Sequence, residues 1–145
     1  MAKKIKPEKE VEQKIKAWLS QNGFEFAVYD SKGTYSQSAG RYTKSQSMKS
    51  GTPDLLGISP LGHFVAIELK APGKEDACRL AQYQFLERYI QKNGFCLVTS
   101  SVEFLETSYS NWLKLKLDKR DKEAVGLLLS LLPKKVIVGT KVLSL

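Results

Sequence analysis

The stretch "SGTPDLLGISPLGHFVAIELK", residues 50–70, decides how this chain is read. Its two apolar runs, "DLLGI" and "HFVAIELK", have the length and composition of neighbouring strands, and the turn residues "SPLG" join them as a hairpin. Yet one run opens on Asp54 and the other closes on Glu68 and Lys70. Side chains alternate along a strand, so Glu68 and Lys70 emerge on one face, and a short hairpin carries Asp54 alongside them. Carboxylates held that close repel, and in a partly buried site they are costly unless a cation sits among them. Oxygen ligands without His or Cys select Mg²⁺ or Mn²⁺. An ion held this way keeps positions open for a phosphate oxygen and a water, polarising one and acidifying the other, which is the chemistry of phosphodiester hydrolysis. Lys70 beside it is expected to orient the attacking water and to stabilise charge developing on phosphorus. Gly51 and Pro53 are expected to form a small, turn-forming entry to Asp54 that lets a substrate backbone come close.

Working outward, "PEKEVEQKIKAWLSQNG" places Val11, Ile15, Trp18 and Leu19 at helical spacing between a first-turn Pro7 and an Asn22-Gly23 stop. Glu12 lies at the margin of that apolar stripe and can face the sheet, and Glu8 falls on the same side. "FEFAVYD" alternates as a strand. Residues 31–50 read as a loop of twenty residues with four cations (Lys32, Arg41, Lys44 and Lys49), no acid, and Tyr35 and Tyr42 interleaved, a composition suited to phosphate contacts and base stacking. "CRLAQYQFLERYIQKNG" predicts a second helix, in which Gln82 shares the apolar stripe with Leu86 and Tyr89 and so needs a polar partner. "FCLVTS" predicts a short buried strand. The order to residue 106 is helix, three strands, helix, strand: an α/β arrangement with a mixed sheet. Residues 107–145 contain an alternating stretch (Trp112, Leu113, Leu115, Leu117 among lysines), a helix over 122–132 and a final β-branched run. They read as a C-terminal extension of the same domain, and "AVGLLLSLLP" offers an apolar surface for a homodimer that would cut two strands symmetrically.

The 145 residues are 42% apolar and 10% aromatic, enough for one domain with a sizeable core. Net charge is +8 and uneven: residues 1–53 hold ten cations against five acids, 54–106 five against seven, and 107–145 eight against three. Basic flanks around an acidic centre fit a nucleic-acid binder whose phosphate-contacting surface surrounds a metal site. Cys78 and Cys96 lack CxxC spacing and partner histidines, so they read as reduced core residues, neither zinc ligands nor a disulfide framework. His63, the only histidine, reads as a solvated turn residue, which removes Ser-His, Cys-His and His-metal chemistry. "MAKKIKPEKE" has no apolar stretch behind its lysines and no run approaches a membrane span, so the expectation is a cytoplasmic protein without a membrane partner.

"GTPD", thirteen residues and then "ELK" resembles the PD-(D/E)xK nucleases, and the fuller pattern is similar to their small VRR-NUC and archaeal Holliday-junction-resolvase-like branch. Glu12, eleven residues before the helix-ending Gly23, and Gln82 in "QYQFL" carry the rest of the likeness, which spans residues 8–106. The resemblance implies a restriction-endonuclease-like αβββαβ core and Mg²⁺ or Mn²⁺ as cofactor. It implies metal ligands at Asp54, Glu68 and the main-chain carbonyl of Leu69 with Glu12 assisting, Lys70 as catalytic lysine, and Gln82 positioning. "VTS" at 98–100 and the extension after 106 depart from that branch. The function expected is a metal-dependent endonuclease acting on branched or structured DNA. The alternatives are a non-catalytic DNA-binding module with a nuclease fold and a sequence-specific restriction-type enzyme.

Overall fold

The computed structural model describes residues 6–29 and 51–145, together with the backbone of 34–36 and 41–43. Helix α1 (Pro7–Gln21) starts on proline, whose missing N–H costs nothing in a first turn, and buries Val11, Ile15 and Leu19 at four-residue spacing. It ends where the Asn22 side chain donates to the Trp18 carbonyl at 2.8 Å and Gly23 takes a φ of +79°. Strands β1 (Glu25–Val28), β2 (Thr34–Ser36), β3 (Arg41–Thr43), β4 (Leu55–Ile58) and β5 (Phe64–Leu69) follow. A 3₁₀ turn over Glu75–Ala77 leads into α2 (Leu80–Gln91), then β6 (Phe95–Thr99), α3 (Val102–Leu117), α4 (Asp121–Leu131), β7 (Lys135–Val138) and β8 (Lys141–Ser144).

The chain is an α/β protein built on a mixed sheet in the order β1-β4-β5-β6, antiparallel at β1–β4 and β4–β5 and parallel at β5–β6. Every residue of β6 and the five from Val65 to Leu69 in β5 are buried without alternation, which requires cover on both faces of the sheet. The helices supply it: α1 touches β5 and α3, while α2, α3 and α4 all touch β6. β4 carries Gly57 because a Cβ there would lie 2.2 Å from the Glu25 carbonyl oxygen of β1. The hairpin between β4 and β5 closes with Ser59 N–H donating to the His63 carbonyl at 2.8 Å and Gly62 N–H to the Ser59 carbonyl at 2.9 Å.

Residues after 106 are part of this packing. α3 runs through that position and buries Leu105, Ser108, Tyr109 and Trp112 on one helical stripe. Tyr109 meets Phe24, Phe95 and Trp18 with ring centroids 5.0, 5.2 and 6.1 Å away. A fully buried large apolar side chain such as Trp112 contributes about 1.5–3 kcal/mol. The alternating stretch at 112–117 is therefore helical: lysines at 114 and 116 mimic a period of two, but the burial that decides the element has a period near 3.6. The helix expected over 122–132 is α4, whose Ala124 and Leu128, with Leu132 beyond it, belong to the chain's own core. Within "AVGLLLSLLP", Ala124, Leu128 and Leu132 thus pack inward, while Val125, Leu127, Leu129 and Leu131 are only partly buried. The final β-branched run makes its own two-stranded hairpin, β7–β8, tied to the body where Ile137 N–H donates to the Cys78 carbonyl at 2.9 Å.

Two further readings change, and the reading of the cysteines as reduced core residues holds. The segment expected as a loop contains the ribbon β2–β3, with Tyr35 paired to Tyr42 across it, since Thr and Tyr on both arms favour a strand. His63 is not simply solvated: it is half-buried, its ring 5.0 Å from that of Trp112, and burial together with the Lys116 ammonium lowers its pKa against the opposing pull of Asp121. Cys78 and Cys96 are free and buried, and burial raises their thiols to about 11 and about 12. Among the described residues no helix is long and apolar enough to cross a membrane.

Candidate functional site

The register of β4 on β5 builds the site. Leu55 pairs with Ile67, so one step further sets Asp54 opposite Glu68 at the end of the pair, with their side chains on one face. Asp54 is fixed there because its Oδ2 accepts the Leu69 N–H at 2.9 Å. Glu68 is 2% exposed, and among the described residues its Oε2 is a buried side-chain oxygen with no hydrogen-bond partner. Burial is the largest cause that raises the Glu68 carboxyl to about 10, followed by the hydrogen bond and charge of Asp54; Lys70 opposes the shift and Glu8 adds to it. Two carboxyl groups are thus pressed together in a place that neutralises one of them as long as no cation is present.

Lys70 leaves the same strand end. Its Nζ donates to the Ala77 carbonyl at 3.3 Å and to Gln82 Oε1 at 3.4 Å. Gln82 is the third residue of α2, and the same Oε1 accepts the Arg79 N–H at 2.9 Å, so the glutamine caps its own helix while it holds the lysine. The polar partner that its place in the apolar stripe called for is therefore a pair, Arg79 N–H and the Lys70 ammonium.

On the other side, α1 faces the carboxylates across a cavity of about 180 Å³ lined by Lys6, Glu8, Lys9, Glu12, Asp54 and Leu69. Glu12 is turned inward, its side chain 15% exposed, and ion-paired with Lys9. Glu8, one turn earlier, lines the same cavity and is near enough to act on Glu68. Among the described residues no three acidic, His or Cys side chains converge as a ready metal cage. The donor set is two carboxylates in contact, with one or two helical glutamates across a cavity. That set, and the unpartnered Glu68 oxygen, fit a hard divalent ion that keeps several waters.

The sequence thus brings together Asp54, Glu68, Leu69, Lys70 and Gln82, with Glu12 at the rim. Lys32, Lys44 and Lys49 lie outside the described residues, and Arg41 is placed only as the first residue of β3. Four contributions escaped sequence reasoning: Lys6 and Lys9 at the cavity, the Ala77 carbonyl, and the true role of Gly51. The helical period through Glu12 could have flagged Lys9, three residues earlier on the same face. Gly51 does face something closely, but it is the backbone of α2 at Ala81 and Gln82, where a substrate strand was expected. Comparison of the chain with protein-family models, with curated proteins and with solved structures returns no match in any of the three.

Proposed function

We propose that this protein is a Mg²⁺- or Mn²⁺-dependent endonuclease that hydrolyses DNA phosphodiester bonds, with branched or structured DNA as the favoured substrate. The observation that carries the reading is the buried, unpartnered Glu68 oxygen pressed against Asp54 at the strand end that also bears Lys70. Such a placement weakens a purely structural role, because a buried carboxyl oxygen left without a partner lowers stability. The succession α1-β1-β4-β5-α2-β6, with β2–β3 as an insertion, agrees with the αβββαβ core implied by the sequence resemblance.

Asp54, Glu68 and the Leu69 carbonyl would hold the ion, with Glu12 or Glu8 completing the set from α1. When bound, the ion supplies Lewis-acid polarisation of a phosphate oxygen and acidifies a water. The chain's own residues do the rest. The Leu69 N–H holds Asp54 in one orientation. Lys70, anchored by Gln82 and Ala77, presents an ammonium that orients the attacking water and balances charge gathering on phosphorus. Lys6 and Lys9 at the cavity offer cations to the phosphates flanking the cut.

The test is digestion of supercoiled plasmid, linear duplex, nicked, flap and four-way-junction DNA with Mg²⁺, Mn²⁺ or EDTA, using wild type and Asp54→Ala. Metal-dependent cleavage that prefers junctions or flaps, lost in Asp54→Ala while binding persists, is the expected result. Binding that ignores metal and never cleaves would show a non-catalytic DNA-binding module. Discrete fragments from linear duplex would show a sequence-specific restriction-type enzyme.

A further inference from the structure

We infer that Gly51 is a positioning residue for Lys70, acting through the first turn of α2; this rests on the reading of Asp54, Glu68 and Lys70 as a hydrolytic centre. Gly51 has a φ of +83°, and a Cβ at that position would lie 2.4 Å from the Ala81 carbonyl oxygen, 2.5 Å from its carbon and 2.9 Å from the Gln82 nitrogen. The two requirements are separate. A positive φ alone is met by Asn or Asp in many turns. Contact with backbone is met by glycine only, because none of these three neighbours is a side-chain end that can swing aside.

What rides on that turn is the anchorage of the lysine. Gln82 Oε1 holds Lys70 Nζ at 3.4 Å and the Arg79 N–H at 2.9 Å, and the second anchor, the Ala77 carbonyl at 3.3 Å, belongs to the 3₁₀ turn immediately before α2. Both groups that fix the ammonium therefore move with the N-terminal end of α2. Gly51 lies three residues before Asp54, so the segment entering Asp54 is seated directly on the element that aims Lys70. Strand pairing sets Asp54 against Glu68 from one side. The Gly51 contact sets the acids against the ammonium from the other, closing a loop of constraints around the centre. Relieving a contact of 2.4 Å requires the two backbones to part by more than the ~0.5 Å within which functional groups must be held.

The experiment compares wild type, Gly51→Ala, Gln82→Ala and the double variant. Misplacement on this scale lowers kcat for metal-dependent cleavage roughly 10–100-fold. KM for DNA and the rise in melting temperature on adding Mg²⁺ stay near wild type, since Asp54 keeps its own anchor at Leu69 N–H. The double variant loses no more than the weaker single variant, because both act on one link. Independently of activity, NMR reads the Gln82 side-chain amide, the Lys70 ε-methylene shift and exchange at the Arg79 amide. All three change in Gly51→Ala in the same sense as the last two do in Gln82→Ala. Unmoved Gln82 and Lys70 signals in Gly51→Ala, or losses that multiply in the double variant, overturn the inference. Should Gly51→Ala not fold, two measurements decide: the nuclear Overhauser effect from Gly51 Hα to the Gln82 amide in wild type, and the Lys70 shift in Gln82→Ala; absence of either overturns it. A wild type that cleaves no DNA sinks the hydrolytic reading, while the NMR arms still report whether Gly51 sets the lysine.

Discussion

Glu68 concentrates the physical problem of this fold: a carboxyl 2% exposed, beside another carboxyl, with one oxygen unpartnered. In the folded chain its pKa is raised to about 10 from the ordinary 4.5, so the native state keeps a proton that the unfolded chain gives up. Stability from this group is therefore complete below about pH 4.5 and falls as pH rises toward 10, with a slope of at most ~1.4 kcal/mol per pH unit. Urea unfolding of metal-free protein between pH 5 and 9 should show that decline, and Glu68→Gln should flatten it and be the more stable protein at pH 8. Adding Mg²⁺ or Mn²⁺ should reverse the order, stabilising wild type with release of a proton and leaving Glu68→Gln unmoved; calorimetry in two buffers of different ionisation enthalpy counts that proton. Lys70→Met should keep the metal-induced stabilisation but lose roughly 10²–10³-fold in kcat, which separates holding the ion from using it. Asp54, Glu68 and Lys70 were legible in the sequence because period-two geometry and a short hairpin suffice to bring them together. Lys9 could have been read from the helical period through Glu12, but Lys6 and the contact made by Gly51 could not, because their neighbours come from how α1 and α2 sit on the sheet, and no local rule encodes that.

At the scale of elements, the termini decide which segments hold their place. Ser101 caps α3, its Oγ accepting the Phe104 N–H at 3.0 Å, and α3 brings Leu105, Tyr109 and Trp112 into the core. Ser101→Ala should cost ~1 kcal/mol in chemical denaturation. Metal binding should be unchanged, because the cap does not touch the carboxylates. α1 and α2 were readable from a single helical period, and β4, β5 and β6 from short apolar runs bounded by turn residues. Just past the end of α2, Asn93 takes the left-handed conformation with a φ of 69°, as the Asn-Gly signal anticipates. α3 was obscured because "WLKLKL" sets lysines at every second position, while the residues that fix its helical face, Leu105 to Tyr109, lie upstream. The ribbon β2–β3 was hidden for a different reason. Three-residue arms are too short for a periodicity to declare itself.

For the whole molecule, the proposed DNA substrate raises the question of how a chain of net charge +8 would approach a polyanion with its acids at the centre. Lys9 stands at the junction of those two demands, ion-paired with Glu12 and lining the cavity beside Asp54. In the metal-free protein its ammonium partly occupies the role a divalent ion would take toward Glu12. Lys9 is 60% exposed, so that pair is worth only ~0–1 kcal/mol. Its removal therefore frees Glu12 at little cost to the fold. Lys9→Ala should accordingly tighten Mn²⁺ binding, by up to about five-fold if Glu12 is a ligand. Binding of DNA should respond in the opposite direction. Each phosphate-contacting lysine adds about one to the slope of log affinity against log salt concentration, so Lys6→Ala with Lys9→Ala should lower that slope by up to about two. Metal titration by calorimetry and DNA titration at several salt concentrations read the two effects separately. If Mn²⁺ affinity and the salt slope are both unmoved, α1 contributes neither a ligand nor a phosphate contact, and the centre consists of the strand end and α2 alone.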